Sequence, residues 1–116
     1  MELFDTHAHF SADDDVDAIF ARAAAAGVTR VLAVGGDDEL NVHALRTPGC
    51  VALGFDRDQI ERAKDVLPTL PKLVSAHHDR VAAIGEIGLD CHYNPETLKA
   101  QCDLFAAQLV NWRCQS

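Results

Sequence analysis

Arg30-Val31-Leu32-Ala33-Val34-Gly35-Gly36 carries an apolar run without the polar alternation of a half-exposed strand, and two glycines close it. Asp37 follows at once, and Asp37 to Leu45 reads as a short helix that stops at Thr47-Pro48-Gly49. An apolar strand running straight into a helix is the repeating unit of a parallel sheet with helices packed on its faces. The same unit lies on either side. Upstream, Leu3-Phe4 leads into Asp5-Thr6-His7-Ala8-His9, and Asp15 to Ala26 follows as a helix that Gly27 ends. Its Val16, Ile19, Phe20 and Ala23 fall at i, i+3, i+4 and i+7, an amphipathic stripe. Downstream, Val51 to Phe55 is a third strand, and Asp58 to about His77 is helical in composition but interrupted by Pro68 and Pro71. Val81 to Ile84 is a fourth strand leading into Gly85-Glu86-Ile87-Gly88. Pro95 opens a last helix that runs through Thr97 to about Val110, with Leu98, Cys102, Phe105 and Leu109 as its expected buried stripe.

A closed barrel of eight such units takes ~250 residues, and the chain has 116. The expected fold is therefore α/β, with parallel β/α units of a TIM-like barrel and about four of the eight present, a truncated half barrel. Hydrophobic residues make up 48% of the chain and mean hydropathy is near zero, as for one globular domain. No apolar run approaches the ~18 residues of a membrane span. The start Met1-Glu2-Leu3-Phe4-Asp5 lacks the basic and apolar regions of a signal peptide. A cytoplasmic protein without a membrane partner is the expectation. Cys50, Cys91, Cys102 and Cys114 show no Cys-x-x-Cys spacing and read as reduced thiols. The net charge of −8 disfavours passive attraction to nucleic acid or anionic lipid. A bound metal ion supplies the positive charge that such a chain needs to act on phosphates.

Chemistry concentrates at the ends of the first and fourth strands. Residues two apart in a strand share a side, so His7 and His9 aim both imidazoles at one point, as a divalent cation requires. Asp5 stands close enough to serve as an acceptor behind them. The structural alternative is a pair of surface or core histidines at a strand end. Glu86 lies at the end of an apolar strand, where a carboxylate is costly unless it is paired, hydrogen-bonded or bound to metal. A capping or salt-bridged glutamate is its structural alternative. Asp90 reads equally as an orienting group or a cap, and His92 and Tyr93 as substrate-side or simply exposed loop residues. His43 is better explained as a packed or solvated imidazole, His77-His78 as helix C-terminal residues, and Asp13-Asp14-Asp15 as capping. No P-loop, Gly-x-Gly-x-x-Gly or Gly-x-Ser-x-Gly is present.

In order and distance these segments resemble the TatD family of metal-dependent hydrolases, a branch of the amidohydrolase-like barrels. Phe4-Asp5-Thr6-His7-Ala8-His9-Phe10 is similar to the family's opening Asp-Thr-His-x-His. Ala83-Ile84-Gly85-Glu86-Ile87-Gly88-Leu89-Asp90, followed by Gln101, Phe105, Gln108 and Leu109, is similar to its second signature and the helix after it. The resemblance covers residues 1–109, the N-terminal half of such a barrel. It implies that His7 and His9 bind one divalent cation and that Glu86 binds it too and bridges to a second. Magnesium is the ion it implies first, with manganese or zinc as alternatives, and DNA, often degraded exonucleolytically, is the substrate. Two departures stand out. The family shows a His-Pro after the third strand, where this chain has Asp56-Arg57, leaving Arg57 to meet a phosphate. The family also continues into strands that bring two more histidines and an aspartate to the metals, whereas residues 110–116 form a divergent tail.

The expected function is hydrolysis of phosphodiester bonds by a TatD-like deoxyribonuclease, incomplete as this chain and completed by self-association or a complementary barrel half. The alternative is an inactive remnant that at most binds a metal ion or a partner half. A further alternative is another metallohydrolase of the superfamily acting on an ester or amide.

Overall fold

Strands and helices alternate along the whole chain in the computed structural model, which describes residues 1–115. The strands are β1 (Leu3–Ala8), β2 (Val28–Gly36), β3 (Val51–Phe55) and β4 (Val81–Ile84). The helices are α1 (Val16–Ala25), α2 (Asp38–Arg46), α3 (Ala63–Val66), α4 (Leu70–Ala76) and α5 (Leu98–Gln115). Short 3-10 turns cover Arg57–Arg62, Leu67–Thr69 and Pro95–Thr97. The sheet order is β1-β2-β3-β4 with every pair parallel. These are four consecutive β/α units in the arrangement of half a TIM-like barrel, as the sequence implies.

Local chemistry sets the boundaries. The Asp15 carboxylate accepts the Ala18 N–H at 3.1 Å to start α1, and Gly27 with φ +91 turns the chain into β2. Asp37 caps α2 through the Leu40 N–H at 2.7 Å, and the Thr47 hydroxyl donates to the Ala44 carbonyl at 2.7 Å at its other end. Pro68 and Pro71 break the stretch after β3 into short pieces, as the loss of a donor at each demands. Every residue of β3 is buried. Its Val51, Leu53 and Phe55 join Val66, Leu70 and Val74 from α3 and α4, with Ala44 and Phe10, in one core. The Val16, Ile19 and Phe20 stripe of α1 packs against that core. At the edge, β1 leaves Leu3 48% and Phe4 41% exposed.

The last helix departs from its expected stripe. Cys102 and Leu109 are exposed, while Gln101, Leu104 and Gln108 are buried. The reason is a polar task. The Gln108 carboxamide accepts the Phe55 N–H at 2.8 Å and donates to the Phe55 carbonyl at 2.8 Å, satisfying both backbone groups at the end of β3. Gln101 does the same for Asp90, at 2.7 Å and 3.1 Å. The helix continues past Val110 to Gln115, and Trp112 packs against the core. Ser116, the last residue of the stretch expected to diverge, lies outside the described residues.

Gln108→Leu keeps the volume but strands a buried N–H and a buried carbonyl, each worth ~1–3 kcal/mol. A loss of about 2 to 4 kcal/mol in urea denaturation is expected. An unchanged midpoint and slope would mean that the clamp contributes nothing.

Candidate metal centre

His7 and His9 stand at the carboxyl end of β1, and Glu86 lies two residues beyond β4. The intervening Ala8 faces the other way and packs toward the core. His7 Nε2 and His9 Nε2 lie 3.1 Å apart, and the Glu86 Oε2 is 3.5 Å from the first and 3.2 Å from the second. Ligand atoms ~2.1 Å from one ion and separated by 90 to 110° stand ~3.0 to 3.4 Å apart. The triangle has that size, and its donor set of two imidazole nitrogens and a carboxylate oxygen fits a divalent cation. His9 Nδ1 lies 2.9 Å from the Val34 carbonyl. A carbonyl only accepts, so the proton sits on Nδ1 and the Nε2 lone pair turns to the triangle. Two imidazole nitrogens and a carboxylate this close repel through their lone pairs unless a proton or a cation lies among them.

Glycines and one asparagine place these groups. A Cβ on Gly54 of β3 would fall 3.0 Å from the Gly85 backbone, so only glycine lets the end of β4 come so near. A Cβ on Gly35 would fall 1.8 Å from Asn41 Oδ1. Into that space the buried Asn41 inserts, accepting the Gly54 N–H at 3.1 Å and donating to the Gly54 carbonyl at 3.0 Å. The Gly85–Glu86 peptide is cis.

The remaining candidates surround the triangle differently. The Asp5 carboxylate accepts the backbone N–H of His7 at 3.0 Å, and the acceptor facing an imidazole is the Val34 carbonyl instead. Arg57 turns its Nε to Asp90 Oδ2 at 3.0 Å. Asp90 Oδ1 accepts the N–H groups of Tyr93 at 3.0 Å and His92 at 2.8 Å. These backbone donors, with Arg57 beside them, hold the Asp90 carboxyl below its ordinary value. His92 and Tyr93 are exposed and meet edge to face. His43 is buried and faces Glu39 at 3.4 Å, and His78 Nδ1 lies 3.3 Å from the Ser75 carbonyl. Asn41 and Asp56 are the residues that pattern reading passes over. Burial raises the Asp56 pKa, the Asp58 N–H on its Oδ1 opposes this, and the charges of Asp58, Glu86 and Asp37 raise it further. Among the described residues no other group of three metal-ligating side chains converges.

A family model described as TatD related DNase matches residues 4–111. This chain belongs to the TatD-related DNase family. A relative in Bacillus subtilis (strain 168), described as the uncharacterized metal-dependent hydrolase YabD, is 33% identical over 117 aligned positions. The alignment takes in 93% of this chain and 45% of that protein, so the chain spans under half of its length. The two segments that carry the TatD resemblance, Asp5 to His9 and Gly85 to Asp90, are the ones that the fold brings into contact.

A carboxyl whose folded pKa lies below its unfolded value of ~3.9 adds stability above that value and loses it as pH falls through the folded one. Asp90 is such a group. Below about pH 4, thermal stability of the unsubstituted chain is expected to drop more steeply than that of Asp90→Asn. Parallel pH curves for the two proteins would contradict the assignment.

Proposed function

We propose that His7, His9 and Glu86 hold one divalent cation and that this centre serves the hydrolysis of phosphodiester bonds, with DNA as the substrate class. The observation that carries the reading is the triangle of two Nε2 atoms and one Oε2 with sides of 3.1 to 3.5 Å. Membership of a family described as TatD related DNase, and a relative described as a metal-dependent hydrolase, support it. A divalent cation, when bound, lowers the pKa of a coordinated water and stabilises charge developing on phosphoryl oxygens. Magnesium is the proposed ion, and the donor set also suits manganese and zinc. The chain's own residues supply the rest. The Val34 carbonyl keeps His9 in the Nδ1–H tautomer, and Glu86 supplies one negative charge against the two of the ion. Arg57 is anchored by Asp90 through Nε, and among the described residues nothing bonds its terminal nitrogens, which suits them to a phosphate.

Further strands, from a second copy of this chain or a complementary barrel half, would add at β1 and β4, the two edges of the sheet. Among the described residues no helix is long and apolar enough to cross a membrane. A cytoplasmic setting, with reduced thiols at Cys50, Cys91 and Cys102, belongs to the same proposal. A second reading, metal binding without turnover, is favoured by the ligand count. Only three ligand atoms converge among the described residues.

A nuclease assay on single- and double-stranded DNA with Mg²⁺ or Mn²⁺, run beside calorimetric Mn²⁺ titration, separates the two. Expected are ion-dependent DNA cleavage and Mn²⁺ binding, both falling at least ~100-fold in His7→Ala and Glu86→Ala. Binding that vanishes in both variants, with no cleavage at any ion concentration, selects the second reading. Mn²⁺ binding that neither substitution weakens removes the centre altogether.

A further inference from the structure

Asp56 follows β3 directly, between the ends of β2 and β4. Its Oδ1 accepts the Asp58 N–H at 2.8 Å and so caps the 3-10 turn. That role uses one oxygen. A Cβ placed on Gly36 would lie 3.2 Å from Asp56 Oδ2 and 3.7 Å from the Glu86 Cβ. The space that Gly36 leaves without a side chain therefore borders both Asp56 Oδ2 and the base of the Glu86 side chain. Around Asp56 the neighbouring charges are Asp58, Glu86 and Asp37, all of the same sign. Arg57, the adjacent cation, is turned to Asp90 instead. Among the described residues no group donates to Oδ2. A half-buried carboxylate held among three others and left without a counter-charge is an unfavourable arrangement by itself. It becomes favourable once a divalent cation is bound beside Glu86.

We infer that Asp56 is a further carboxylate of the metal centre, a positioning residue that acts on the cation from beyond the direct ligands His7, His9 and Glu86. The inference rests on the metal centre proposed above. Asp56 is not one of the three residues whose ligand atoms lie within 4.8 Å of one another. Its effect therefore reaches the ion through charge, as outer carboxylates of metal sites act.

The test is calorimetric titration of the metal-free chain with Mn²⁺. Asp56→Asn retains an oxygen for the Asp58 N–H and removes only the charge. It is expected to bind Mn²⁺ on the order of 10- to 100-fold more weakly, with an unchanged melting temperature in the absence of metal. Asp58→Asn removes an exposed charge 4.0 Å from Arg57 and serves as the control for the general acidic field. It is expected to shift affinity less than about threefold. Should Asp56→Asn fail to fold, Asp56→Ser provides the cap and lacks the charge. Affinity equal to the unsubstituted chain in whichever of these variants folds overturns the inference. So does an equal loss in Asp58→Asn. His7→Ala separates the two proposals. If it also binds Mn²⁺ normally, the metal centre itself fails; if only it loses binding, Asp56 alone is misassigned.

Discussion

Three side-chain amides hold the carboxyl end of the sheet. Asn41 grips Gly54, Gln108 grips Phe55 and Gln101 grips Asp90, each by accepting the N–H and donating to the carbonyl of one residue. Gly54 and Phe55 end β3 and Asp90 lies in the loop beyond β4, and leaving such backbone groups dry is costly. Each clamp also fixes where the following residue begins. Asp56 and Arg57 start from a backbone held by α2 and α5 together, and Asp90 starts from one held by α5. The catalytic face of a parallel β/α fold is made of such strand ends and the loops beyond them. Here the loop after β3 starts from a fixed point because the buried Asn41 and Gln108 hold the last two residues of that strand.

Those clamps also mark the limit of what the chain reveals without a structure. Apolar runs identify all four strands, with Val51 to Phe55 and Val81 to Ile84 matching to the residue. Caps at Asp15, Asp37 and Gly27, and the proline breaks after β3, follow from local chemistry that needs no tertiary context. The stripe of α5 does not. An inward glutamine has the same sequence signature as a solvated one, so a hydrophobic pattern shifts the buried face onto Cys102 and Leu109. The backbone partner of Gln108 lies 53 residues away, and no local rule reaches it. The site divides in the same way. The spacing of His7 and His9 is legible because a strand has period two, and the convergence with Glu86 follows from a family resemblance. The Val34 carbonyl that orients His9 is a backbone atom, and the backbone carries no sequence signal. Asp56 looks like a helix cap, which it also is.

Electrostatics makes the same face two-sided. The chain carries a net charge of −8, and Asp37, Asp56 and Glu86 bring part of it to the strand ends. Arg57 and Asp90 neutralise each other nearby. Without an added cation such a surface repels anions, while a divalent ion offsets most of that charge within a few ångströms. If the substrate is a phosphodiester, as proposed, the acidic composition requires the ion to bind before it.

His7 and His9 leave one edge strand of the sheet and Glu86 leaves the other. In a flat parallel sheet those edges would stand three strand spacings apart, ~14 Å. Their side chains meet at 3.2 Å, so the sheet is rolled until its first and fourth strands face each other at one end. A cation at that point would join the two margins of the sheet as a clasp joins the ends of a band. Affinity and curvature would then be one thermodynamic quantity seen from two sides. Whatever flattens the sheet would weaken the ion's hold, and whatever binds the ion would stiffen the roll.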